Sequence, residues 1–517
     1  MSQYLRRLAT TGAAYTASSI LSKLIAVALL PLYTAYLSPA DFGAAEVLFA
    51  AVVAASIVIR LGLIEALLRF YYQAGEDPDE VVATSFAALF WTTTAAALLA
   101  LPLAGPISDA LLDQPAADLG RIAIGGLWVL TMFEYLLSIF RLEERARAYF
   151  VTTVANVLVT IPITVMLIVV ADEGARGLLL GTYGAGAAFV VGLLVVHRRR
   201  LSLIPNRALL GRLLRFGFPT MPAEISLYSL NVIDRIIIVR YAGLAEAGLY
   251  ALAVKFAQAI NVIARGFQLA WPPLAYSIRD DEEARRAYAG IVTWFAAGLA
   301  FVVVGMWLEA RWIARFLAAP EFFDSFEAVG LLATGVALYA LYLALVVILG
   351  RTGRTGFNFP ATAAATAVNV VLNLVLVPPL EIVGAGIALV ASYVVVLALM
   401  YWFTQRLFFV PYEWGRLARA ILVAAAIVAA GELLLPTSGA VGLVSRAALW
   451  LAYPLALRAS GFFTAEELRS LRVLARPREL VARLRTELSA ARAAPAGEGG
   501  VVSEVYEAEV RDEDSRP

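Results

Sequence analysis

Long apolar runs separated by arginine-bearing turns constrain this chain more than any other feature. About fourteen such runs recur, each near the ~20 residues that an α-helix needs to cross ~30 Å of hydrocarbon. They read at roughly 12–37, 44–68, 82–104, 121–140, 149–171, 177–197, 217–241, 246–272, 287–308, 327–349, 357–379, 383–404, 417–435 and 440–458. Composition agrees: 61% of the 517 residues are apolar and 16% are charged, against about 45–50% and about 25% in soluble domains. Within a bilayer every backbone amide must be satisfied by the chain itself, and runs of this length choose helices over a barrel. The expected fold class is an all-α polytopic membrane protein. The first run follows Arg6 and Arg7 and exceeds the apolar core of a cleavable leader, so it is expected to remain as the first span.

Arginines then set the orientation, because Lys and Arg gather in cytoplasmic loops. Even-numbered connections carry Arg69, Arg141, Arg145, Arg147, Arg198, Arg199, Arg200, Arg207, Arg212, Arg215, Arg279, Arg285, Arg286, Arg351, Arg354, Arg406, Arg416 and Arg419. Odd-numbered connections carry only Arg121, Arg176, Arg240, Arg311 and Arg315. Both termini are therefore expected in the cytoplasm.

An internal repeat divides the spans. YLSPADFG, Tyr36 to Gly43, resembles YAGLAEAG, Tyr241 to Gly248, at an offset of about 205 residues. In that register Arg60 falls on Arg265. A second match sets VANVL, from Val154, against AVNVVLN, from Ala367, and pairs Asn156 with Asn369. Two six-helix lobes follow, both starting on the same side and so related as parallel repeats. The expected organisation is an N-lobe over 1–200, a linker over 201–216, a C-lobe over 217–406, spans thirteen and fourteen over 407–460, and a tail over 461–517. The linker sets Leu209, Leu210, Leu213 and Leu214 on one face with arginines around them, the pattern of an amphipathic helix on the inner leaflet. The tail opens with a capping box, Thr464 and Glu467. A leucine-striped helical run follows, and the acidic, aperiodic end reads as disordered.

Charges at bilayer depth cost about 2.5–3.5 kcal/mol on insertion scales and usually face a protein interior or a watery cavity. Lys23, Arg60, Lys255 and Arg265 are expected to line a cationic cavity between the lobes, suited to phosphate oxygens. Pairing with Glu65, Asp234 and Glu224 is the competing structural reading. Those three carboxylates are also candidates for ion coupling, since a desolvated carboxylate exchanges protons near neutrality. Arg235 reads as a residue near the outer interface that snorkels, and Glu46 and Glu134 read as shallower. Net charge is +1, which gives no argument for nucleic acid. With no Cys and one His, His197 beside Arg198, no metal site is expected. No His-Glu metal motif, nucleotide loop or nucleophile elbow occurs, so no enzyme and no cofactor is expected. A proton or sodium gradient would supply the drive.

SSILSKLIAVALLPLYTAYLSPADFGAAEVLFA from Ser18, GLIEALLRFY from Gly62, FPTMPAEISLYSLNVIDRIIIVRYAGLAEAGLYALAVKF from Phe218 and VNVVLNLVLVPPLEIVGAGIALVASY from Val368 together resemble the polysaccharide transporter and O-antigen flippase family. That family lies in the multidrug/oligosaccharidyl-lipid/polysaccharide exporter superfamily. The resemblance covers about Ser2 to Arg406 and departs from the family at Glu65, which occupies a variable place. It implies a V-shaped pair of lobes that alternates access in a bacterial or archaeal cytoplasmic membrane. Its implied substrate is a polyprenyl-pyrophosphate-linked oligosaccharide, carried from the inner to the outer leaflet, with membrane lipids and a polysaccharide polymerase machinery as partners. The alternative is a cation-coupled multidrug extruder of the same superfamily, which predicts a carboxylate-lined cavity.

Overall fold

The computed structural model describes residues 25, 27–73, 75–229, 232–465, 467 and 468. Most of the expected first span, Lys23 included, and the tail beyond Leu468 lie outside the described residues. Among the described residues the regular structure is entirely helical. In chain order the helices are α1 (Leu30–Tyr36), α2 (Pro39–Arg60), α3 (Leu63–Phe70), α4 (Pro78–Ala100), α5 (Ala117–Leu142), α6 (Ala146–Val165) and α7 (Gly174–His197). The second half has α8 (Arg207–Gly217), α9 (Met221–Ser229), α10 (Ile233–Ala242), α11 (Leu244–Ala257), α12 (Ile260–Ser277), α13 (Asp281–Leu317), α14 (Phe326–Arg351) and α15 (Asn358–Leu407). The chain then continues through α16 (Trp414–Leu434) and α17 (Gly439–Leu451). Nine helical stretches among the described residues are long and apolar enough to cross a membrane, or up to eleven if each of two bent pairs is one span. The protein is a multi-pass membrane protein.

Several expected spans are not single straight helices. The second breaks where Leu61 and Gly62 both take left-handed backbone (φ 50° and 69°), so Arg60 ends α2 and Glu65 sits on α3. The seventh divides between α9 and α10. The eighth bends by 47° between α11 and α12. The eleventh and twelfth spans are the two arms of α15, which runs through Pro378 and Pro379 to a reversal at Glu381 (φ 50°, ψ −127°). A Cβ built on Gly384 would lie 2.3 Å from the Leu376 carbonyl oxygen, although eight residues of straight helix span about 12 Å. The chain therefore folds back there as a hairpin.

Several buried hydroxyls inside these helices are satisfied locally, as a medium without water favours, although those of Thr93 and Thr164 have no partner among the described residues. The buried hydroxyls of Ser85, Thr131, Thr293, Ser392 and Thr404 each donate to a carbonyl four residues earlier, at 2.6 to 2.8 Å. Outside this pattern, the repeat-matched asparagines each keep an unpaired, solvent-inaccessible amide, Nδ2 of Asn156 and both amide atoms of Asn369.

The two repeats meet through their own matched residues. A Cβ on Gly43 would lie 2.1 Å from the Leu244 oxygen, and one on Gly248 would lie 2.0 Å from the Pro39 oxygen. Gly43 corresponds to Gly248 in the repeat register, and Pro39 to Leu244. The contact is thus self-complementary, the signature of a twofold relation, and it presses α2 against α11. Nearer the other end of α2, Gly62 and Gly217 also touch: a Cβ on Gly62 would lie 2.0 Å from the Gly217 oxygen. That contact seats α8, whose buried Leu209 and Leu213 pack with Leu63, Leu67 and Val81 on α3 and α4. Asn206 caps α8 by accepting from the Ala208 and Leu209 amides.

The last two membrane helices dock on α13. Arg446 on α17 is fully buried; it donates to Glu432 of α16 at 2.5 Å and reaches the Leu308 carbonyl at 3.5 Å. Trp450 donates to the Phe301 carbonyl at 2.8 Å, and its ring fills the space that a side chain at Gly305 would need. In the separate C-terminal unit the expected capping box is present: the Thr464 amide donates to Glu467 at 2.8 Å, and the Glu467 amide donates to Thr464 Oγ1 at 3.3 Å.

Overpacking a close helix contact costs about 1–3 kcal/mol. Gly248→Ala should therefore lower the thermal unfolding midpoint of the purified protein by several degrees. Gly184→Ala, where a Cβ meets nothing within 4 Å, should leave it unchanged. Equal midpoints would mean that α2 and α11 do not touch.

Candidate functional site

The glycine contact between α2 and α11 dictates where the first group of charges meets. Glu46 follows Gly43 by three residues and Lys255 follows Gly248 by seven, so each stays on the contacting face of its helix. Lys255 Nζ lies 2.8 Å from Glu46 Oε1. From α10, Arg235 Nη1 donates to the Glu46 backbone oxygen at 3.0 Å and approaches Oε2 at 3.4 Å. The Glu46 side chain is only 9% exposed, and Arg235 is buried rather than snorkelling. The snorkelling expected of Arg235 is corrected: it sits with Glu46 in the packed joint between the halves. Asp234, also buried, accepts the Tyr250 hydroxyl on one oxygen and the Arg235 amide on the other, the latter at 2.9 Å. Two carboxylates and two cations balance in this group, which is what a low-dielectric setting tolerates.

A second group forms at the opposite end of α2. The Arg60 guanidinium is a fork: Nη1 bonds Glu134 of α5 at 2.8 Å, and Nη2 bonds Glu224 of α9 at 2.9 Å. One side chain thus ties two helices of the first half to one of the second. Both carboxylates are about 40% exposed (40% and 38%), so this group borders solvent-accessible space. Glu65 is half-buried nearby, with no hydrogen bond or ion pair among the described residues.

Between α10, α11, α12, α14 and α15 lies a part-open cavity of about 150 Å³. Its polar lining is Asp234, Tyr250, Gln258, Asn261, Tyr339 and Tyr393, and Val, Leu and Ala side chains form the rest. Asp234, Tyr250 and Tyr393 are buried and make the floor, while Gln258 is exposed at the rim. Arg265 is exposed one turn beyond Asn261 and has no ion pair or hydrogen bond among the described residues. Its repeat partner Arg60 has two. The difference has a sequence origin: between Glu327 and Arg351, α14 contains no acidic residue to answer Glu134 of α5.

The four expected cationic residues are therefore not gathered in one place. Arg60 belongs to the fork, Lys255 to the Glu46 group, Arg265 stands by the cavity mouth, and Lys23 lies outside the described residues. Of the expected carboxylates, Asp234 reaches the cavity floor, Glu224 joins the fork, and Glu65 lies beside the fork without an ion pair of its own among the described residues. Sequence reasoning missed Glu46 and Glu134 as the partners of these bases, and the tyrosines of the cavity. The one signal for Glu46 was its place one turn after the repeat glycine. Among the described residues no group of three His, Cys, Asp or Glu side chains is arranged to hold a metal.

The family model described as polysaccharide biosynthesis protein matches residues 9–279. The succinoglycan biosynthesis transport protein ExoT of Rhizobium meliloti (strain 1021) is 26% identical over 316 residues, 59% of this chain. The match spans 61% of that protein's length. Among solved structures, the lipid II flippase MurJ in an inward closed conformation superposes with a TM-score of 0.68 at 11% identity, covering 87% of this chain and 98% of that one. An inward-facing multidrug resistance MATE family transporter of the MOP superfamily gives a TM-score of 0.63 at 17% identity, covering 75% and 94%. These two likenesses are likenesses of fold.

Removing one partner from a buried ion group leaves an uncompensated charge and costs about 3–5 kcal/mol. Glu46→Gln should destabilise the protein on that scale. Glu134→Gln should cost less, because Glu134 borders solvent and Arg60 keeps Glu224. Thermal unfolding of the two purified variants checks this, and a larger loss for Glu134→Gln would overturn the ranking.

Proposed function

The chain belongs to the polysaccharide biosynthesis protein family, and on that premise we propose that it is a flippase for polyprenyl-pyrophosphate-linked oligosaccharide. It would carry its substrate from the inner to the outer leaflet by alternating access of its two halves. The printed names of its relatives support the direction of this reading, one a transport protein of succinoglycan biosynthesis and another a flippase of lipid II. The observation that carries it is the unpaired Arg265. A cation in a spanning helix persists only where water or a ligand meets it, and a guanidinium fork suits the oxygens of a pyrophosphate. Arg60, its repeat partner, would join in a second state. When the halves separate, α9 withdraws Glu224 and frees part of the fork for phosphate.

Asp234 and Glu224 are the proposed coupling carboxylates. Asp234 touches both the cavity and, through the Arg235 amide, the joint between the halves. A second reading, a cation-coupled extruder of amphipathic molecules, draws support from the cavity itself. A buried carboxylate among tyrosine rings suits an organic cation.

A labelled polyprenyl-pyrophosphate oligosaccharide placed on one leaflet of a proteoliposome, with glycosidase outside, tests the proposal. Arg265→Ala should slow arrival at least ~10-fold at unchanged abundance and unfolding midpoint, and Arg265→Lys should restore only part, since the fork is lost. Wild-type arrival in Arg265→Ala would remove the base from the substrate path. Efflux of a cationic dye without glycolipid flipping would favour the extruder. Asp234→Asn should flatten the dependence of flipping on an ion gradient, and an unchanged dependence would exclude Asp234 from coupling.

A further inference from the structure

The lining of the cavity is not that of a phosphate site. Its floor holds a buried carboxylate, Asp234, and no cation of the second half reaches into it: Lys255 is committed to Glu46, and Arg265 stands at the mouth. A phosphate lodged on that floor would meet a like charge in a low-dielectric setting. An alkyl chain fits no better. The hydroxyls of Tyr339 and Tyr393 and the amides of Gln258 and Asn261 make no side-chain hydrogen bond among the described residues. An apolar occupant would leave all four without partners, which costs free energy at each.

What satisfies such a lining is a compact ligand with several hydroxyls and an apolar face. Sugar hydroxyls can donate to Asp234 and exchange bonds with the two tyrosines and two amides. The C–H face of a pyranose can lie against the Tyr339 and Tyr393 rings, whose centroids are 5.6 Å apart and tilted by 49°. The enclosed part of the cavity is about 150 Å³, the size that holds a single six-membered ring, so it admits about one sugar. Asn261 and Arg265 lie one turn apart on α12, just beyond the bend that holds Gln258, so the polar rim ends at the free cation. From Asn261 to Arg265 the rise is about 6 Å, which separates a charged end of the ligand from an uncharged one.

Resting on the flippase reading, we infer that this cavity is the glycan subsite, entered sugar-first. The pyrophosphate stays at the rim on Arg265, and the sugar nearest it points toward Asp234. The subsite accepts neutral and amino sugars and rejects those carrying a carboxylate, because Asp234 would face it.

The test uses the full chain in liposomes and three polyprenyl pyrophosphates that carry one glucose, one glucosamine or one glucuronic acid. Glucose and glucosamine lipids should flip at comparable rates, and the glucuronic acid lipid at least ~10-fold slower, the scale of discrimination that a mismatched buried polar contact supplies. Asp234→Asn should bring the glucose-to-glucuronate ratio within about threefold by removing the like charge. The double variant Gln258→Ala, Asn261→Ala, at the accessible rim and so tolerant of truncation, should narrow the rate advantage of the glucose lipid over bare polyprenyl pyrophosphate by about tenfold. Equal wild-type rates for the three lipids, or ratios unchanged in both variants, would overturn the glycan subsite while leaving the flippase reading intact. Failure of the wild type to flip any of them would instead sink the reading on which the subsite rests.

Discussion

The structure depends on one backbone contact. Gly43 of α2 and Gly248 of α11 let the two repeats touch where any side chain would hold them apart, and each glycine faces the first-turn carbonyl of the other's helix. Helices in a bilayer gain nothing from hiding apolar surface from one another, since lipid is equally apolar. Close approach through small residues is what lets them associate. Because the contacting residues are repeat equivalents, one interaction fixes both the twofold relation and the register of α2 on α11. Every later placement follows from that register. Glu46 meets Lys255 because both continue from the glycine pair along the same face, and Arg60 arrives at the far end of α2 beside α5 and α9.

The charges then divide by accessibility. Deep in the joint, Glu46, Asp234 and Arg235 are buried and, with the part-exposed Lys255, balance one another, so they resist change. At the other end Arg60 holds two half-exposed carboxylates, a setting in which water can replace either partner at modest cost. A contact that must open and close is built more readily from the second kind than from the first.

Much of this was legible in the sequence, and the limits are physical ones. Apolar run length located the helices because bilayer thickness fixes it, and the YLSPADFG and YAGLAEAG repeat singled out the two glycines that meet. The breaks were less visible. Leu61 takes left-handed backbone although it is a leucine, because the tertiary contact of Gly62 with Gly217 requires the corner there. The hairpin at Pro378 and Pro379 fell where two apolar runs were separated. Ion partners were the least legible, since Arg60 finds its carboxylates 74 and 164 residues away and Arg235 finds Glu46 at 189. Spacing along one helix cannot identify a partner on another. For that reason four bases at membrane depth read as one cationic cavity, when two of them are taken by acids that only folding brings near.

Two adjacent residues join the cavity to the joint between the halves. Asp234 lines the cavity floor, and Arg235, next to it on α10, reaches across to the Glu46 backbone in the first half. The Arg235 amide also bonds the Asp234 carboxylate, so the orientation of one side chain is tied to the backbone of the other. A ligand that hydrogen-bonds Asp234 competes with Tyr250 for the same oxygens, and any shift of α10 that follows is felt where Arg235 meets Glu46. Coupling between two sites needs differential contacts in two states, and a single helix turn that contributes to both sites is the shortest path by which such contacts can be exchanged. The adjacent Asp234 and Arg235 are thus the element through which occupancy of the second half would bias its packing against the first.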